Sequence, residues 1–134
     1  MSGITGHCSC GSVQLNVLPP FPELHICHCS QCRQSNGSAF NLALVLQSEQ
    51  VDWLTRDTLI EFESSPGKLR SFCRDCGSPV YSRREDLPAT FRLRAGLFAN
   101  LPKPETFTQG YRNSAWPWAD ELFALTASNQ ELSL

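Results

Sequence analysis

Two short stretches decide the fold, and each is a pair of cysteines followed by glycine: Cys8-Ser9-Cys10-Gly11 and Cys73-Arg74-Asp75-Cys76-Gly77. Sulphurs bound to one tetrahedral zinc lie within about 4 Å of one another, whereas strand residues i and i+2 lie about 6.6 Å apart. The chain must therefore turn at each pair, and the following glycine permits the positive φ that such a turn often needs. We predict that the two turns meet and that the four sulphurs form one closed, structural zinc site, with ligands Cys8, Cys10, Cys73 and Cys76.

Three more thiols lie within the six residues Cys27-His28-Cys29-Ser30-Gln31-Cys32. Three thiolates on one zinc leave a fourth tetrahedral position free, which is typical of a zinc that binds water or substrate. The pattern therefore predicts a second, open zinc site in which Cys27, Cys29 and Cys32 are both metal ligands and catalytic residues. Because His28 stands between two ligands, we expect its side chain to point away from the metal, towards outer groups or the surface.

Other uses of the cysteines remain open at this stage. One of the three histidines could fill the fourth position of the second site and make it structural. Alternatively, Cys29 and Cys32 could join Cys73 and Cys76 in a zinc ribbon, which would leave three closely spaced cysteines without a role. A redox use of a Cys-x-x-Cys pair needs a βαβ context, which the sequence does not show.

The composition indicates one folded domain over residues 1–134. Hydrophobic residues make up 41% and charged residues 18% of the 134 residues, which fits neither a collagen-like chain nor a coiled coil. The net charge of -2 gives no general positive field, so we do not expect nucleic acid as a partner. The apolar run over 42–46 suits a buried strand and is far shorter than the roughly 20 residues of a membrane-spanning helix.

The cysteine count indicates the cellular compartment. Seven is an odd number, and residues 1–7 have neither the basic start nor the apolar stretch of a signal peptide, so a secreted disulfide scaffold is not expected. We therefore expect reduced thiols and a cytoplasmic protein.

Short apolar alternations bounded by turn residues predict a mainly β fold with little helix. The predicted strands cover residues 13–17, 24–27, 39–46, 51–54, 58–63, 68–72, 79–82 and 91–95. One short helix is predicted over residues 30–35, with Ser30 as its N-cap and Asn36-Gly37 as its end.

The C-terminal part of the chain gives three further expectations. In the strand over 91–95, Arg92 and Arg94 alternate with apolar residues, and we prefer a solvated cationic sheet face over a wall that recognises anions. Pro102-Lys103-Pro104 is expected to end regular structure. Trp116 and Trp118 are expected to close the core rather than to stack on a ligand.

The cysteine motifs resemble those of the glutathione-dependent formaldehyde-activating enzyme family, which includes centromere protein V. The resemblance rests on residues 6–13, 27–33 with Gly37, 64–65 and 70–78, in the same order and with similar spacing. It implies a β-tent of packed antiparallel sheets with zinc-binding turns. It also implies one structural zinc and one catalytic zinc, with the same division of the seven cysteines that their spacing predicts.

The resemblance further implies a carbon-sulphur lyase similar to S-(hydroxymethyl)glutathione synthase. Such an enzyme adds a thiol, glutathione or a similar one, to formaldehyde or another small aldehyde. An open thiolate-bound zinc can hold the incoming sulphur or polarise the aldehyde oxygen, and the sequence leaves both possibilities open. The carboxylates of glutathione would need cationic partners, and the candidates are Arg33, Arg83, Arg84, Arg92 and Arg94.

A non-catalytic, zinc-stabilised binding module is the second interpretation. Many members of the family carry a Leu-Asp pair after the glycine at position 96, and a histidine further on. This chain has Leu97-Phe98-Ala99-Asn100 and Gln109-Gly110-Tyr111-Arg112 there instead. The open three-cysteine cluster favours an enzyme, and the changed C-terminal third favours a module.

Overall fold

A computed structural model describes residues 3–125, which form two β-sheets. The strands are β1 (Ile4–His7), β2 (Gln14–Val17), β3 (Glu23–Cys27), β4 (Asn41–Gln47), β5 (Val51–Thr55), β6 (Leu59–Ser65), β7 (Lys68–Cys73), β8 (Pro79–Arg84), β9 (Leu87–Arg94) and β10 (Thr106–Gly110). One α-helix, α1 (Ser30–Asn36), follows β3. Short 3₁₀ turns lie at Ser48–Gln50, Ala95–Leu97, Arg112–Ser114 and Ala119–Ala124. Over residues 3–125, no helix has the length and apolar character needed to cross a membrane.

The two sheets differ in size. The small sheet has the strand order β1-β2-β5, and the large sheet has the order β10-β3-β4-β9-β8-β7-β6. All neighbouring strands are antiparallel except β10 and β3, which are parallel. The prediction of a mainly β fold with packed sheets and little helix is confirmed, and the one parallel pair is the departure from a fully antiparallel arrangement.

The core lies between the sheets and is built by strand alternation. Leu15 and Val17 of the small sheet are fully buried and share one apolar cluster with Leu44 and Leu46 of β4 and Leu93 of β9. Leu44 is paired with Leu93 in the ladder, so their side chains lie on the same face. This face of the large sheet is therefore the apolar one.

The opposite face of the large sheet is polar and cationic. On β4, Asn41 pairs with Cys27 of β3, and Ala43 pairs with Arg94 of β9. Further along the sheet, Ser82 of β8 pairs with Arg92 of β9 on one side and with Arg70 of β7 on the other. Arg84 of β8 pairs with Lys68 of β7. Because paired residues project to the same side of a sheet, the strands place a cysteine ligand candidate and five cations on one surface. This surface holds the candidate site.

Two expectations for the C-terminal third are wrong. Regular structure resumes after Pro104, because β10 pairs with β3 and Thr106 donates its backbone N–H to the carbonyl oxygen of Pro22 at 3.0 Å. Trp116 and Trp118 do not close the core: they are 40% and 48% exposed and stack on each other with ring centroids 4.9 Å apart.

The contact between Gly6 and Phe98 gives a stability prediction. A Cβ on Gly6 would lie 2.7 Å from Cε1 of the buried Phe98 ring, so Gly6→Ala should lower the free energy of unfolding by about 1–3 kcal/mol. Gly96→Ala is the matched control, because a Cβ there meets no atom within 4 Å, and its effect should stay within about 0.5 kcal/mol. Urea unfolding of both variants measures the difference, and equal stabilities would contradict the packing described.

Candidate metal centres

The first cysteine cluster joins the two sheets. Cys8 and Cys10 lie in the turn between β1 and β2, and Cys73 and Cys76 lie at the turn between β7 and β8. The four sulphurs all lie within 4.8 Å of one another, with Cys10 at 3.7 Å from Cys8 and 3.8 Å from Cys73. As expected, the glycines that follow the pairs have positive φ, 81° at position 11 and 76° at position 77. These four thiols make a closed group that could hold a metal ion.

Hydrogen bonds around this cluster favour thiolates at two of its members. The Cys76 sulphur lies 3.2 Å from the Ser78 hydroxyl. This hydrogen bond, together with hydrogen bonds from backbone N–H groups to the same sulphur, lowers the pKa of Cys76 to about 5. The Thr58 hydroxyl, 3.2 Å from the Cys73 sulphur, lowers the pKa of Cys73. Burial raises the pKa of Cys8, whose sulphur accepts an N–H at 3.2 Å from Val13. Thiols with a lowered pKa are suited to be metal ligands, because a cysteine must be deprotonated to bind a metal.

The second cluster forms where β3 runs into α1. Cys27 is the last residue of β3, Cys32 lies in the first turn of α1, and their sulphurs lie within 4.8 Å of each other and of Cys29. Cys29 is the N-cap of the helix, because its sulphur accepts the backbone N–H of Cys32 at 3.3 Å. The predicted N-cap, Ser30, is therefore wrong by one residue, and one side chain both caps the helix and belongs to the cluster.

The pKa values of Cys27 and Cys32 in the second cluster are shifted in opposite directions. The hydrogen bond between Cys27 and Cys32 raises the pKa of Cys27 and lowers that of Cys32, and burial raises the pKa of Cys27 further. Hydrogen bonds from Cys29 and Arg70 also lower the pKa of Cys32, with Arg70 Nη2 3.7 Å from its sulphur. These contacts therefore favour the thiolate form at Cys32 over Cys27.

The alternative partitions of the cysteines find no support in this geometry. Cys73 and Cys76 group with the N-terminal pair, so they form no zinc ribbon with Cys29 and Cys32. Among residues 3–125, no histidine nitrogen lies within 4.8 Å of all three sulphurs of the second cluster. His28 is fully buried rather than at the surface, and its Nε2 lies 2.9 Å from the Gln109 side-chain oxygen.

A cavity of about 430 Å³ opens onto the second cluster. Its cationic wall consists of Lys68, Arg70, Arg84 and Arg92, and His25 and Tyr111 also line it. Burial, together with the charges of Arg92 and Arg70, lowers the pKa of Lys68 to about 8. The cavity is thus a positive pocket with three thiols in its wall.

The structure separates the five candidate arginines into two that line the cavity and three that do not. Arg84 and Arg92 line the cavity, whereas Arg94 is 6% exposed and lines a separate cavity with Asn41 and Leu42, so the expected solvated cationic face is wrong for Arg94. Arg33 donates instead to the carbonyl oxygens of His28 and Ser114 at 2.7 and 2.5 Å, and Arg83 forms an ion pair with Glu61 at 2.7 Å. Neither Arg33 nor Arg83 lines the cavity.

Lys68 and Arg70 were not among the residues expected at this site, and His25 was expected there only as one of the three histidines that could bind the second zinc. The alternation of His25 with Cys27, and of Lys68 with Arg70, was a usable signal, because it places each pair on one face of its strand. What the sequence did not provide was the register across β7, β8 and β9 that aligns these faces.

A chain of hydrogen bonds orients His25. The Thr108 hydroxyl donates to the Glu23 carboxylate at 2.5 Å, and its oxygen lies 2.7 Å from His25 Nδ1. Since the hydroxyl proton is used, Nδ1 must be the donor in that contact, which leaves Nε2 without a proton in the neutral ring. Burial and then the charge of Arg92 lower the pKa of His25, which favours the neutral ring, and the hydrogen bonds select its tautomer.

The two clusters should differ in their effect on stability. Cys8→Ser removes a fully buried sulphur from the group that joins the sheets, so it should lower the Tm of the zinc-loaded protein by about 10 °C or more. Cys29→Ser should lower the Tm by less than about 5 °C, because serine preserves the helix cap and the cluster joins only neighbouring elements. Calorimetry of both variants tests this, and equal shifts would contradict the division into two kinds of site.

Comparisons with known proteins agree with this architecture. Residues 3–114 match the family model described as glutathione-dependent formaldehyde-activating enzyme. An uncharacterised lyase of Schizosaccharomyces pombe is 27% identical over 96 residues, which cover 72% of this chain and 69% of the relative. A Colletotrichum graminicola protein that bears the family's name provisionally is 33% identical over 87 residues, 63% of this chain and 46% of its own length.

A solved structure shows the same fold. The crystal structure of a Rhodobacter sphaeroides protein superposes with a TM-score of 0.64 at 19% identity, covering 80% of this chain and 100% of that one. Together with the two cysteine clusters, the match over residues 3–114 shows that this chain belongs to the glutathione-dependent formaldehyde-activating enzyme family.

Proposed function

We propose that this protein is a zinc-dependent enzyme of the carbon-sulphur lyase type that adds a thiol to formaldehyde or another small aldehyde. The observation that carries the proposal is the second cluster: three thiols with no fourth side-chain ligand among residues 3–125, in the wall of an open cationic cavity. A closed set of ligands would hold a metal for structure alone, whereas three ligands leave a position for a substrate.

Two zinc ions fit the thiols present. Cys8, Cys10, Cys73 and Cys76 would hold a structural zinc, and Cys27, Cys29 and Cys32 would hold a catalytic one. When bound in the second cluster, zinc would supply a Lewis acid with one exchangeable position. All seven cysteines are free thiols in the structure, which supports a reducing, cytoplasmic location as part of the proposal.

The proposed reaction balances without an oxidant or a reductant. A bond forms between the thiol sulphur and the aldehyde carbon, and the carbonyl π bond breaks. The proton lost by the thiol is gained by the aldehyde oxygen, so the product is an S-hydroxymethyl thioether when the aldehyde is formaldehyde. The names of the relatives specify glutathione and formaldehyde, which are therefore our proposed substrates.

The positive charge of the cavity supports the proposal that the thiol substrate is anionic, as glutathione is. Lys68, Arg84 and Arg92 stand around the entrance to the cluster, and a cavity of about 430 Å³ accommodates part of a tripeptide. Glutathione carries two carboxylates, and guanidinium groups bind carboxylates in a bidentate geometry. The cations would hold the peptide while its sulphur lies towards Cys27, Cys29 and Cys32.

A non-catalytic binding module remains the second candidate. It is favoured by the C-terminal third, where Trp116 and Trp118 form an exposed stack with the Arg33 guanidinium 5.2 Å from the Trp116 ring centroid. Aromatic groups of this kind are common at protein interfaces. The module predicts zinc binding without turnover, so the following measurement separates the two candidates.

Turnover should depend on the second cluster. Cys29→Ala should reduce the rate of adduct formation from ¹³C-formaldehyde and glutathione, followed by NMR, by about 100-fold or more, while the fold and the structural zinc remain. Gln34→Ala is the control, because Gln34 is exposed on the same helix and lies outside the cavity lining. Undiminished turnover in Cys29→Ala, or none in the wild-type protein beyond the uncatalysed rate, would overturn the enzyme proposal.

Binding of an anionic peptide should weaken as Lys68 loses its proton. Because burial lowers the pKa of Lys68 to about 8, the side chain is charged below pH 8 and neutral above it. Calorimetric titration of the zinc-loaded protein with S-methylglutathione should show affinity falling about tenfold from pH 7 to pH 9. Lys68→Met should remove the step near pH 8, and a variant with the same step as wild type would show that Lys68 makes no contact with the ligand.

A further inference from the structure

Two buried arginines on the sheet face that carries the second cluster, Arg70 and Arg94, have no carboxylate partner. Arg70 is 4% exposed and Arg94 is 6% exposed, and no ion pair joins either of them to an acidic side chain among residues 3–125. A buried charge without a counter-charge is costly, so such groups are normally paired. The structure therefore leaves two positive charges to be balanced.

A hydrogen bond joins Arg70 to the cluster, whereas Arg94 has buried nitrogens without a partner. Arg70 donates to Cys32 Sγ at 3.7 Å, and its other contacts are the hydroxyls of Ser64 and Ser35 at 3.1 and 3.2 Å. Arg94 Nε and Nη1 are buried and have no hydrogen-bond partner. Neutral hydroxyls do not balance a guanidinium charge, so the Cys32 sulphur is the one contact of Arg70 among residues 3–125 that can carry a negative charge.

The strand register places Arg94 on the same face as Cys27, because Arg94 pairs with Ala43 and Cys27 pairs with Asn41 on β4. Burial and then the charge of Arg70 lower the pKa of Arg94 to about 10, while the charges of Cys32 and Cys27 act in the opposite direction. The two guanidinium groups repel each other, and negative charge on the sulphurs opposes that repulsion. The pair is therefore adapted to a cluster that carries negative charge.

We propose that Arg70 and Arg94 are positioning residues that make the second cluster select an anionic sulphur, rather than a neutral oxygen or nitrogen, as its fourth ligand. The inference rests on the proposed function only for the presence of a metal and a thiol. Zinc with three thiolates has one net negative charge, and a fourth thiolate makes it two, which two guanidinium groups balance. A neutral fourth ligand would leave one buried positive charge unbalanced.

Lys68, Arg84 and Arg92 contribute less than the buried pair to the charge balance at the cluster. Lys68, Arg84 and Arg92 are more exposed than Arg70 and Arg94, and Arg84 is paired with Asp86 at 2.8 Å. Water and counter-ions screen exposed charges, whereas buried charges act at close to full strength. The buried pair therefore decides the charge of the ligand next to the cysteines, while the exposed Arg84 and the half-buried Lys68 and Arg92 act on more distant parts of a substrate.

The test compares an anionic with a neutral ligand on cobalt(II)-substituted protein. β-Mercaptoethanol binds as a thiolate and has no carboxylate, and imidazole binds as a neutral donor. Arg94→Met should weaken β-mercaptoethanol binding about 10- to 100-fold and change imidazole binding by less than about threefold. The absorption of the cobalt centre reports both titrations, and Arg94→Lys, which keeps the charge, should restore most of the thiol affinity.

The controls separate charge selection from a structural role. Arg56→Met removes a cation on the exposed surface and should change neither titration. If Arg94→Met does not fold, Arg94→Gln and Arg70→Met repeat the test, with the closed cluster's cobalt content as the check on folding. Equal losses for both ligands, or unchanged thiol affinity, would overturn the inference.

The assay contains no aldehyde, so it is independent of turnover. Selective thiol binding in a protein that forms no adduct would contradict the proposed enzyme and leave the role of the arginines intact. An active enzyme whose arginine variants lose both ligands equally would contradict the role of the arginines alone.

Discussion

The structure depends on the meeting of two cysteine turns that are separated by 63 residues along the chain, from Cys10 to Cys73. One turn belongs to the small sheet and the other to the large sheet, so the contact fixes the two layers relative to each other. The backbone N–H of Ser9 also donates to the Ser78 hydroxyl at 3.0 Å across this junction. A metal held there closes a long loop, which stabilises a small domain by restricting its unfolded chain.

Once the sheets are fixed, strand alternation separates the core from the chemistry. In β9, Leu93 is fully buried against the small sheet, while Arg92 and Arg94 project to the other side. The same division runs through β3 and β4, so one sheet carries a packed apolar face and a cationic face that holds three thiols. The site is therefore built on rigid strands, with only Cys29 and Cys32 contributed by the turn and helix that follow β3.

Much of this could be predicted from the sequence, because ligand spacing and alternation are local properties. The spacing of the seven cysteines gave the two groups that the structure brings together, and the alternation in β2 and β9 gave their buried residues. Strand β10 could not be predicted, because it exists through its parallel pairing with β3. The burial of Arg94 and the contribution of Lys68 depend on register across several strands, which a single sequence does not specify.

The division of the seven cysteines into two kinds of site can be tested by the zinc content of the folded chain, with native mass spectrometry of reduced protein supplied with a small excess of zinc. We expect two zinc ions, one firmly held and one that a mild chelator removes or a thiol such as glutathione displaces. A single zinc ion, or two equally inert ones, would contradict the division into a closed structural site and an open catalytic site.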